Sequence, residues 1–83
     1  QKQLGVKAGV PDIIIFDPPP LYPSNVGTAV ELKRRKRGHL TDEQKEWLET
    51  LQERGWATAV CRGADEAIQF LESLGYGKRI AVG

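Results

Sequence analysis

Four prolines fall within residues 17–27, Asp17-Pro18-Pro19-Pro20-Leu21-Tyr22-Pro23-Ser24-Asn25-Val26-Gly27, and they decide how the first half of this chain can fold. Proline lacks the N–H that helices and sheet ladders need, so this stretch is a stiff, partly polyproline loop. On either side lie β-branched apolar runs, Asp12-Ile13-Ile14-Ile15-Phe16 and Thr28-Ala29-Val30-Glu31-Leu32-Lys33. Each reads as a strand, the first as one covered on both faces. Pro11 stands at the start of the first run, where a missing donor is tolerated. The two strands are expected to pair antiparallel across the long proline hairpin.

After Gly38 the pattern changes period. Thr41-Asp42-Glu43-Gln44 has capping-box spacing, with Thr41 as N-cap and Gln44 at the third helical position. Asp42 and Glu43 suit the positive end of the helix. Gln44, Trp47, Leu48 and Leu51 share one face, and Gly55 ends the helix after Arg54. Trp56-Ala57-Thr58-Ala59-Val60-Cys61 reads as a third strand. A last helix starts at Asp65 or at the turn of Gly63, carries Ala67, Ile68, Leu71 and Leu74 on one side, and stops at Gly75. The order β-β-α-β-α makes the helix a crossover, so the second and third strands are expected to be parallel. The class is α/β, a small mixed sheet flanked by helices. Leu4–Lys7 reads as a short extended piece.

With 83 residues the chain makes one domain, 1–83, whose core is thin, and oligomerisation would support it. No apolar run approaches the about 20 residues that span a bilayer, and Gln1-Lys2-Gln3-Leu4-Gly5 has no stretch of the kind a secretory signal needs. The single cysteine, Cys61, lies in an apolar run and reads as a small core residue, in keeping with a reducing compartment. The net charge of +1 says little, but its distribution says more, because five of the twelve basic residues form one unbroken run, Lys33-Arg34-Arg35-Lys36-Arg37.

Chemistry enters through alternation along the second strand. Glu31 and Lys33 face one way, Val30 and Leu32 the other, and Ala29 leaves space beside Glu31. Such a pair also suits a plain solvated sheet surface. If the hairpin sets the start of the first strand against the end of the second, Asp12 approaches Glu31. Two close carboxylates repel unless a cation intervenes. Their hard oxygens suit Mg²⁺ or Mn²⁺, with the backbone carbonyl of Leu32 as a further ligand. Lys33 would then hold an attacking water and offset charge on a phosphate. The basic run reads either as a solvated turn or as a phosphate-tracking loop formed by Arg34, Arg35, Lys36 and Arg37, with Lys7 added to the DNA-binding set. His39 has no partner histidine for zinc. Trp47 and Trp56 read as core, and Tyr22 as the more exposed aromatic.

Gly9-Val10-Pro11-Asp12, an apolar strand, Glu31-Leu32-Lys33, a glycine, and a helix opening Thr41-x-x-Gln44 together resemble the PD-(D/E)xK nuclease superfamily. Within it the chain is most similar to the VRR-Nuc (virus-type replication-repair nuclease) family, over about Gly5 to Leu74. The resemblance implies a restriction-endonuclease-like core in which Asp12 and Glu31 bind metal, Lys33 is catalytic and Gln44 supports the site. Gln44 thus has two readings, completion of the capping box or support of the site, and the same amide contacts cannot serve both. The family carries an acidic residue on an upstream helix. Residues 1–11 contain no Asp or Glu, so either that helix is missing from this chain or the site runs with fewer carboxylates here. The family implies a Mg²⁺- or Mn²⁺-dependent endodeoxyribonuclease with no organic cofactor, acting on DNA. Its viral branch implies branched or four-way-junction substrates of the Holliday type, a homodimer with two opposed sites, and a cytoplasmic location, the host cytoplasm if phage-encoded. The alternative is a non-catalytic DNA-binding module or a fragment of a larger DNA-repair nuclease.

Overall fold

A computed structural model describes residues 8–77 of the protein. The elements run β1 (Ile13–Ile15), β2 (Thr28–Lys33), α1 (Asp42–Glu53), β3 (Ala57–Arg62) and α2 (Ala64–Ser73). One sheet has the order β1-β2-β3, with β2 central. β1 pairs antiparallel with β2, Ile13 opposite Val30 and Ile15 opposite Thr28. β2 pairs parallel with β3, Glu31 opposite Val60 and Lys33 opposite Arg62. Among the described residues no helix is long and apolar enough to cross a membrane.

Both pairing directions follow from the connections. The proline loop returns the chain beside itself, and α1 carries it back to start a strand in the same direction. The loop is pinned at both ends. Leu21 N–H donates to the Leu74 carbonyl and Val26 N–H to that of Gly55, each at 2.9 Å, and the Asn25 amide also donates to Gly55. Tyr76, just beyond α2, donates its hydroxyl hydrogen to the Asp17 carbonyl at 2.7 Å. It accepts in turn from the fully buried Thr28 hydroxyl at 2.7 Å.

The two sheet faces are unlike. Val30 and Cys61 pack with Ala67 of α2, backed by Ile13, Ala59, Phe70 and Leu71. The opposite face carries Ala29, Glu31 and Lys33 of β2 and is approached by α1 through Gln44. Burial and the nearby Glu66 push the Cys61 thiol above its ordinary pKa, so it stays a neutral core group.

Three expectations change in detail. β1 is shorter than Asp12–Phe16 and is half-buried rather than covered on both faces, because it is an edge strand. Phe16 lies beyond it, 76% exposed, with its ring edge-on to Trp56 at 5.9 Å. β3 is displaced by one residue and ends on Arg62 rather than Cys61. Trp47 and Trp56 are half-buried, not core.

Candidate metal and phosphate site

Glu31 sits on the central strand, on the face toward α1, and is 2% exposed. Continuing the β1–β2 register one step past Ile13↔Val30 brings Asp12 opposite it. Pro11 is buried and Asp12 exposed, so the aspartate stands at the rim while Glu31 lies within. One Asp12 oxygen, Oδ2, accepts from the Leu32 backbone N–H at 2.8 Å. This bond fixes the carboxylate against β2, and it engages the N–H of Leu32 rather than the carbonyl expected as a ligand.

The Glu31 carboxylate has two unlike oxygens. Oε2 accepts from Gln44 Nε2 at 3.1 Å and lies 4.0 Å from Lys33 Nζ. Oε1 is buried with no hydrogen-bond partner among the described residues. A buried charged oxygen without a partner is costly. Burial foremost, then the neighbouring Asp12, push the Glu31 carboxyl from an ordinary 4.5 up to about 7, against the opposing pull of Lys33. Side-chain exposure of only 16% at Lys33 and 3% at Glu31 keeps bulk water from screening their contact.

The two ends of the Gln44 amide have different partners. Oε1 accepts from the Thr41 backbone N–H at 2.9 Å, while Gln44 N–H donates to Thr41 Oγ1 at 3.1 Å, so the capping box is complete. Nε2 remains for Glu31. The cap contact and the Glu31 contact thus use different atoms of the amide. Gly9 brings the loop before β1 onto this turn. Its φ is +90°, and a Cβ there would meet the Glu43 carbonyl carbon at 2.6 Å and the Gln44 nitrogen at 2.8 Å. Only glycine allows both the backbone shape and the approach.

Arg34, Arg35, Lys36 and Arg37 form an exposed turn directly after β2. Arg35 lies against Gly63 and reaches Asp65 at 3.5 Å, an exposed pair of little energetic weight. Lys7 and the extended piece Leu4–Lys7 lie outside the described residues. Sequence reasoning passed over Arg62. The parallel register places it beside Lys33, and its Nη1 donates to the carbonyls of Arg34 at 3.1 Å and Gly38 at 2.7 Å. The available signal was a basic residue closing the third strand level with the basic end of the second.

The donor set fits a hard divalent ion. Among the described residues no group of three or more His, Cys, Asp and Glu side chains is poised to hold a metal, so Asp12 and Glu31 would leave most positions to water, as Mg²⁺ prefers. The unpartnered Oε1 of Glu31 is the atom such an ion would satisfy. His39 is exposed. A cavity of about 450 Å³ lies elsewhere, lined by Ala8, Glu43, Glu46, Trp47 and Thr50 and by none of the candidate site residues.

A Glu-x-Lys pair on the central strand of a mixed sheet, an aspartate from the antiparallel neighbour, and a helix glutamine bonded to the glutamate define the PD-(D/E)xK class of nuclease fold. The comparisons place the chain within it. The VRR-NUC domain model matches residues 1–65. A solved structure described as a "VRR_NUC domain protein" superposes with a TM-score of 0.72 at 32% identity, over 86% of this chain and 56% of that one. The chain belongs to the VRR-NUC family, a nuclease-type family of DNA processing. It spans little more than half of the solved relative. No curated protein shows significant similarity to it.

Proposed function

We propose that this domain is a Mg²⁺- or Mn²⁺-dependent endodeoxyribonuclease. The observation that carries the reading is the buried Glu31 carboxylate beside Asp12, one oxygen bonded to Gln44 and near Lys33, the other unpartnered. Asp12 and Glu31, with the Leu32 carbonyl, would hold the ion. When bound, the ion supplies Lewis-acid polarisation of the scissile phosphate and a lowered pKa for water. Gln44 keeps the Glu31 carboxylate from rotating. Lys33, shielded from bulk solvent, orients the attacking water and offsets the negative charge that builds on the phosphate. Arg34, Arg35, Lys36, Arg37 and Lys7 meet backbone phosphates, which carry no base code. The substrate is then selected by shape. Branched or four-way-junction DNA, cut by a homodimer with two symmetric sites, is the form that the family's viral branch supports.

Cleavage of linear duplex, flap and four-way-junction DNA, with and without Mn²⁺, tests the reading. Glu31→Gln and Lys33→Ala should abolish cutting while DNA is still bound. Metal-dependent cleavage surviving in either variant rejects the assignment, and sedimentation tests the dimer. A second reading, a non-catalytic DNA-binding module or part of a larger repair nuclease, draws on the 56% of the relative's length that the chain spans. Binding without cleavage in the wild-type domain would favour it.

A further inference from the structure

The turn that follows β2 is held from beneath by a residue of another strand. Arg62 Nη1 donates to the Gly38 carbonyl at 2.7 Å and to the Arg34 carbonyl at 3.1 Å. One nitrogen thus ties the start of the turn to its end. On the other side Gly63 N–H donates to the Lys33 carbonyl at 3.2 Å. The loop so closed is tight. A Cβ at Gly38 would come within 2.9 Å of Arg34 N and 3.0 Å of its carbonyl oxygen. Arg37 holds a φ of 64°, in the left-handed region that non-glycine residues seldom enter. Four adjacent cations repel one another and would spread if the backbone were free.

A guanidinium under a cationic turn is itself unusual. Among the described residues it forms no ion pair; the two pairs found there are Lys33 with Glu31 and Arg35 with Asp65. Its partners are carbonyl dipoles, and Arg34, Lys36 and Arg37 are exposed. The backbone of Arg62 is anchored as well, its N–H donating to Glu66 Oε1 of α2 at 2.6 Å. β3 and α2 therefore act together as the bed on which the turn lies.

We propose that Arg62 is a positioning residue for the phosphate-binding turn, its guanidinium grasping the Arg34 and Gly38 carbonyls so that Arg34, Lys36 and Arg37 stand ready beside Lys33. The role rests on the reading of the turn as a phosphate contact. Ordering a loop before the encounter removes a cost that would otherwise be met on binding. Arg62 acts through the turn and not on DNA.

The test uses Arg62→Lys and Arg62→Ala in the full chain. Lysine keeps the charge, but its shorter reach and strongly hydrated ammonium replace the planar donor poorly. The turn is a run of trypsin sites, and Arg54 at the end of α1 provides an internal reference for cleavage away from the turn. Nicking at 34–37 relative to Arg54 should rise about tenfold in both variants, and affinity for a short linear duplex without divalent ion should fall about tenfold. The slope of log affinity against log salt should stay unchanged, because the turn's own cations still meet the phosphates. If Arg62→Lys equals wild type in nicking and affinity, the brace is refuted. A wild-type Arg62→Lys alongside an Arg62→Ala slope reduced by about 0.9 would make Arg62 a direct phosphate contact, which also refutes it. Joint replacement of Arg34, Arg35, Lys36 and Arg37 by alanine separates the premise. An unchanged slope there removes the turn from the DNA interface, while the nicking ratio of the Arg62 variants, in which the turn keeps its trypsin sites, still reports the brace by itself.

Discussion

Replacing Glu31 by glutamine should make the metal-free domain more stable while destroying the ion site, and the size of the gain can be worked from the carboxyl's surroundings. Burial and Asp12 raise its pKa from 4.5 to about 7 in the folded state. Between these values the folded chain retains a proton that the unfolded chain has lost. Stability therefore falls as pH rises through this window and levels off above it. A displacement of this size corresponds to about 3 kcal/mol at pH 8 but only about 1 kcal/mol at pH 5. Glutamine has no charge to bury, offers an oxygen to Gln44 Nε2 and can donate to Asp12. It forfeits the attraction of Lys33, so a net gain of about 2 kcal/mol at pH 8 is expected. For a domain of this length that is a rise in melting temperature on the order of 10 °C. Thermal unfolding with a chelator, at pH 5 and pH 8, measures it directly. Adding Mn²⁺ should then stabilise the wild type, by about 2.7 kcal/mol at a hundredfold excess over Kd, and leave the variant nearly unmoved. An Glu31→Gln protein no more stable than wild type at pH 8 without metal would refute the picture of an uncompensated buried carboxylate.

The remaining predictions bear on how that carboxylate is held. Gln44→Glu keeps an acceptor for the Thr41 N–H but sets a second carboxylate against Glu31. Its melting temperature without metal should drop more steeply with rising pH than that of wild type, whereas Gln44→Ala, which loses the cap bond also, should be destabilised by about 1 kcal/mol at low pH and by more once Glu31 ionises, since its carboxylate then lacks a donor; parallel pH dependences for wild type and Gln44→Glu would contradict this. Gly9→Ala forces a Cβ to within 2.6 Å of the α1 backbone at a left-handed φ. It should cost at least about 1 kcal/mol in denaturant unfolding, and a neutral result would mean that the loop before β1 does not rest on the helix.

Most of the architecture was legible because it depends on local chemistry. Thr41, Gln44 and Gly55 mark the limits of α1, the prolines enforce a hairpin, and one crossover helix then sets β3 parallel. The approach of Asp12 to Glu31 follows from the pairing of β1 with β2 alone. What could not be read rests on distances between elements. A sequence shows that Gln44 has a spare amide nitrogen but not that the helix end stands over β2. Arg62 is a lone arginine until the parallel register sets it level with Lys33. The half-exposure of β1 and of both tryptophans depends on what lies beyond the sheet edge, for which strand propensity has no term.

The Tyr76 hydroxyl has a practical consequence for how the domain is delimited. The family match ends at residue 65, just inside the last helix. Cutting the polypeptide there would strip the cover from Val30 and Cys61 and strand the buried Thr28 hydroxyl at the start of the central strand. Any piece that keeps this core intact must therefore run through Tyr76, some distance past the boundary that homology alone would draw.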